Sequence, residues 1–183
     1  MRRFLIGNTF LILCCIFYLA WWIIAFRPEG AVKGMKSGWL LIPAALFGVA
    51  AVFTIAGAIS ATVNALQLVP TMRIAGIGAA AYVILLLVTW FLMKRTVTTE
   101  LVLIVGWATL AAAQISALYA HGVYTAGGAW GFIAVVIAMA AVSLVCYLLY
   151  YNLDAVAGYY DGIVPLAIVA VVTAVMNLTI LMA

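Results

Sequence analysis

Six apolar stretches, each roughly a membrane's thickness in helical length and set apart by a few charges, leave this chain few ways to fold. A helix of about 20 apolar residues crosses a hydrocarbon layer about 30 Å thick, and in lipid the backbone must satisfy its own polar groups. The expected fold is all-α: a polytopic membrane protein, a compact bundle of six transmembrane helices with short loops. The whole chain, 1–183, reads as a single transmembrane domain with spans at about 4–26, 39–60, 74–93, 101–120, 130–151 and 163–182. Composition points the same way. Hydrophobic residues make up 70% of the 183 and charged residues 7%, against about one quarter charged in a soluble domain, so there is too little charge to coat a solvated surface.

The net charge of +4 does not indicate a nucleic-acid partner. The eight Lys and Arg residues lie in short segments bordering apolar runs, where such side chains anchor a span at the interface. The bilayer itself is the expected partner, and a bacterial cytoplasmic membrane the expected location. Met1-Arg2-Arg3 opens like a secretory signal, but the apolar run continues to Phe26 without a small-x-small exit and reads as the first span. Cys14, Cys15 and Cys146 fall inside apolar runs and read as small apolar side chains, so no cofactor or metal is expected.

Arg27, Lys33, Lys36, Lys94 and Arg95 border the odd loops, against Arg2, Arg3 and Arg73 on the side of the termini, a split that does not choose an orientation. The acids are more one-sided. Glu29, Glu100, Asp154 and Asp161 all belong to the odd-loop side and His121 to the other. Three spans followed by three have the parity of an inverted duplication, but the halves do not align by eye and Pro43 and Pro165 fall in non-corresponding spans.

Polar side chains inside spans are the most informative residues, because a charge or amide in hydrocarbon costs a few kcal/mol unless it faces protein or water. They fall on helical lines. Asn8, Cys15 and Trp22 recur in span one; Ser60, Asn64, Gln67 and Thr71 follow span two; Glu100, Trp107, Gln114 and His121 recur in span four. Ser143, Tyr147 and Tyr150 share a face of span five, joined by Asp154 and Asp161 if that helix continues, and Thr173 and Asn177 lie one turn apart in span six. Such faces either converge on a polar path or hold the bundle by interhelical hydrogen bonds of about 1 kcal/mol each.

Asn152 to Gly162 is the least generic segment, with two carboxylates framed by Tyr150, Tyr151, Tyr159 and Tyr160. On one helix Asp154 and Asp161 would lie about 10 Å apart along the axis, and a break at Gly158 would bring them together. Cation attraction or gating against Lys94 or Arg95 is one role. The alternative is that the acids mark span ends and the tyrosines form an interfacial belt. His121 invites a proton-sensitive gate, since imidazoles titrate near neutrality, or is interfacial decoration.

The chain has no His-Glu-x-x-His, phosphate loop or Gly-x-Ser-x-Gly motif. The expected function is a channel or secondary transporter for a small polar solute or ion, with Asn64, Gln67, Gln114, His121, Tyr147, Tyr150, Asp154, Asp161 and Asn177 as its path or gate. One alternative is a non-transporting accessory or assembly subunit, with homo-oligomer contacts through Ala- and Gly-rich faces. The other is an integral-membrane enzyme using the Asp154–Asp161 segment.

Overall fold

The computed structural model describes residues 1–28, 37–66, 68–91, 94 and 99–183. Gln67 and the loop residues Glu29, Lys33, Lys36 and Arg95, all singled out above, lie outside the described residues. Six α-helices account for nearly all of the described chain: α1 (Arg2–Ala25), α2 (Leu41–Leu66), α3 (Val69–Phe91), α4 (Thr99–Ala120), α5 (Ala126–Tyr150) and α6 (Ala155–Met182), with a 3-10 turn at Ser37–Leu40 before α2. Each is long and apolar enough to cross a membrane. This is an all-α, multi-pass integral membrane protein.

The end of α2, at Leu66 rather than 60, and three helix starts differ from the hydropathy reading by four or more residues, and each of the three starts has a local cause. α3 begins at Val69 rather than 74, because Pro70 falls in the first turn, where a missing N–H breaks no helical bond. α5 begins at Ala126 rather than 130, with the Thr125 hydroxyl accepting from the Gly128 amide at 3.2 Å. α6 begins at Ala155 rather than 163, because Asp154 is its N-cap and accepts from the Ala157 amide at 2.8 Å. A cap that satisfies an orphan amide starts a helix through glycines that would otherwise argue for a loop. The end of α4 does follow the expected glycine stop. Gly122 takes φ 78°, its amide bonds Tyr119 O at 2.9 Å and the Val123 amide bonds Leu118 O at 3.0 Å, the paired bonds of a Schellman motif.

The chain divides into two compact units whose boundaries fall within α2 and α5: Met1–Ile55 with Val145–Ala183, and Ala56–Leu144. In the first, α1 runs antiparallel along α6. The Trp22 indole N–H donates to Tyr159 O at 3.1 Å near one end of the pair, and Asn177 Nδ2 donates to Thr9 Oγ1 at 3.4 Å near the other. A Cβ on Gly162 would overlap the Trp22 ring, so the glycine is the notch that admits the indole. α1 also meets the first half of α2, where Phe47 stacks on Phe17 with centroids 5.7 Å apart and Gly7 lies against Ile55.

In the second unit α3 runs antiparallel along α4. Gly78 accommodates Thr109 in the way Gly162 accommodates Trp22. α4 is the most deeply enclosed span, 44% of its central window being buried. Its buried line of Leu101, Trp107, Ala111, Gln114 and Leu118 explains why an apolar helix carries an amide there: that face meets protein rather than lipid.

Candidate functional site

The second unit contains an open groove of about 610 Å³ between the last turns of α2, the first half of α3 and α4. Its polar end is formed by Ser60, Asn64 and Thr71, three of the four residues aligned by helical spacing in the sequence. Beyond them the walls are mostly small or apolar, with Ala75, Gly78, Ala79, Gly106 and Ala113 giving the groove its width and Tyr82 and Thr109 as the further polar side chains. A Cβ on Gly106 would meet nothing within 4 Å, so this glycine borders open space, unlike Gly78. Among the described residues no Asp, Glu, Lys, Arg or His lines the groove.

Hydrogen bonds fix the elements beside it. Thr71 Oγ1 and Ser116 Oγ are 2.9 Å apart, tying α3 to α4. Thr62 Oγ1 donates its one proton to Ala58 O at 3.0 Å. Its 3.1 Å contact with His121 Nε2 must therefore be donated by the imidazole. Ser116 and His121 engage different partners, as expected from residues five apart on one helix.

Gln114 belongs to the same unit but does not line the groove. It is 2% exposed and its Nε2 has no hydrogen-bond partner. Buried donors are normally paired, so this amide is the unit's most anomalous polar group.

The other candidates belong to the first unit. α5 ends at Tyr150, with the Asn152 amide bonding Leu149 O at 2.8 Å, so Asp154 and Asp161 do not extend the Ser143–Tyr147–Tyr150 face. Both lie with α6, which runs unbroken through Gly158. The bend that would have joined the carboxylates is absent because Gly158 packs under the Tyr150 ring instead. Asp154 is engaged as a cap, and Asp161 lies beside the Cys146 thiol. Tyr150 contacts Trp22 with centroids 5.9 Å apart, and the Tyr147 hydroxyl donates to that of Tyr151 at 3.4 Å.

At the far end of the α1–α6 pair, Asn8 is 1% exposed with its Nδ2 unpartnered, and the buried Oδ1 of Asn177 is likewise unpartnered. Among the described residues no three His, Cys, Asp or Glu side chains gather as a metal site.

Sequence reasoning missed the groove itself. It read the glycines and alanines of spans two and three as surfaces suited to self-association and did not single out span four, where Gly106 is open while Gly78 of span three is filled by Thr109. The signal in the sequence was the small-residue spacing of Ala75, Ala79, Gly106 and Ala113 beside the Ser60–Thr71 line. No protein-family model, curated protein or solved structure matches this chain.

Proposed function

We propose that the protein is a small membrane transporter or channel that carries an uncharged or weakly charged solute along the groove of the second unit. The observation that supports this reading is a 610 Å³ groove in apolar helices with Ser60, Asn64 and Thr71 at one end. The volume falls within the range of about 300–1,000 Å³ common to ligand sites. From Ala113 to Val102, at the groove's other end, is eleven residues of α4, or about 17 Å at 1.5 Å per residue. That is a little over half of a hydrocarbon core about 30 Å thick. A lining without charged side chains favours a neutral solute over an ion, since an unpaired charge in this setting costs a few kcal/mol.

The test is flux in liposomes holding the purified chain, with Asn64→Leu and Ala75→Phe as variants. The first removes the amide at the polar end and the second narrows the walls. Loss of flux with undiminished folded yield supports the reading; full flux in both removes it. A second reading, an accessory subunit, is favoured by the outward-facing glycines Gly57 and Gly76, whose Cβ positions meet nothing within 4 Å. It requires a stoichiometric partner, or a second copy, retained on mild extraction and no flux from the isolated chain.

A further inference from the structure

We infer that the groove of the second unit binds an uncharged amphiphile with a single hydrocarbon tail, its hydrogen-bonding head at Ser60, Asn64 and Thr71 and its tail along α4 past Gly106. This deepens the transport reading by naming the solute class for the same groove.

Three observations choose the occupant. The first is width. A volume of 610 Å³ spread over a length of about 17 Å gives a mean cross-section of about 36 Å². A flexible hydrocarbon chain fits a passage of that width. The second is the order of polarity along its length. Asn64 lies two residues before the end of α2 and Thr71 two residues after the start of α3, placing the amide and hydroxyls at the membrane-interface end. Deeper along the groove the side chains are apolar or small apart from the Tyr82 phenol and Thr109, whose hydroxyl donates to Val105 O of its own helix at 2.7 Å, so three of the five polar side chains stand together at the interface end. A ligand matched to that order has a polar end at the interface and an apolar remainder. The third is charge. The lining has no charged side chain to pair with a carboxylate or ammonium, and an unpaired charge there would be expelled, whereas an alcohol or ester can exchange hydrogen bonds with an amide and hydroxyls.

The groove is also open to the bilayer from the side, because Ala75, Ala79, Val102 and Gly106 are exposed along it. An amphiphile dissolved in one leaflet reaches it without first crossing water.

The experiment uses the full chain in lipid nanodiscs with a monoacylglycerol carrying a photoactivatable diazirine in its tail. Labelled residues are located by mass spectrometry. Labelling should concentrate on Gly78, Ala79, Gly106 and Thr109, and excess unlabelled monoacylglycerol should compete while the fatty acid of the same tail, ionised, should not. Gly106→Leu fills the groove from a position where the backbone has room and should cut labelling about tenfold. Gly76→Leu, equally open but outside the lining, should leave it unchanged.

Labelling spread evenly over outward residues such as Ile77 and Ile84 overturns the assignment, as does equal loss in both leucine variants, equal competition by the fatty acid, or a crosslink to a second copy across the groove. Flux is read separately. Groove labelling without flux keeps the amphiphile site and removes the transport reading; flux of a polar solute with no groove labelling keeps transport and removes the amphiphile.

Discussion

The two units pair helices by the same device and finish with different interiors. α1 against α6 and α3 against α4 are both antiparallel, and each places a glycine where a side chain from the opposite helix must enter. At Gly162 the entering group is an indole, which fills its notch and adds a hydrogen bond to Tyr159 O. At Gly78 it is threonine, a small side chain, and the surrounding alanines and Gly106 leave a groove beside it. Close helix approach by itself therefore does not decide whether a membrane protein encloses space; the volume of the inserted side chain does.

That contrast is open to direct attack. Trp22→Ala should produce the largest effect, a loss of about 3–5 kcal/mol typical of removing a large packed aromatic. It would be read as a fall in the thermal unfolding midpoint in detergent. A change below about 1 kcal/mol would mean that the seam is held elsewhere. Gly78→Ala should cost about 1–3 kcal/mol by overpacking Thr109. Gly106→Ala should be neutral or stabilising by up to about 1 kcal/mol through helix propensity. Equal effects at the two glycines would erase the distinction between a filled and an open notch.

Gln114→Leu and Asn8→Leu remove one unpaired buried amide from each unit. Each should leave stability unchanged or raise it by about 1–3 kcal/mol if the amide pays an unrelieved desolvation penalty. Chemical denaturation in detergent would read this, and a Gln114→Leu protein that is folded but has lost flux would assign that amide to transport. Asp154→Ala should have a small and local effect, about 1 kcal/mol from a lost N-cap, visible as earlier amide exchange in the first turn of α6. Asp154→Asn, which can still cap, should restore it.

The spans themselves were legible in the sequence, since hydropathy and helix length leave little choice once some 20 apolar residues run together. Their starts were less so. Hydropathy put the starts of the fifth and sixth spans at about 130 and 163, but Thr125 and Asp154 cap those helices earlier, so they run through Gly127-Gly128 and Gly158. The line from Ser60 to Thr71 was legible as a face, and its described members Ser60, Asn64 and Thr71 do line one groove. What could not be read was partnership across helices. Nothing local says that His121 reaches Thr62 or that Ser116 reaches Thr71, because those pairings depend on how neighbouring helices are aligned. The same holds for the acids. Asp154 and Asp161 stood out as a charged pair, whereas one closes a helix end and the other meets a cysteine.

The pairing of α1 with α6 also has a consequence for the order in which the protein is made. Thr71 and Ser116 are 45 residues apart in the chain, so the α3–α4 contact forms between near neighbours. Trp22 and Tyr159 are separated by 137 residues, and Thr9 and Asn177 by 168. During synthesis α1 enters the bilayer long before α6 exists, and the Trp22 indole lacks its Tyr159 acceptor through the insertion of four other spans. Final assembly must then close the longest loop in the molecule, which makes the α1–α6 seam the natural last step of folding.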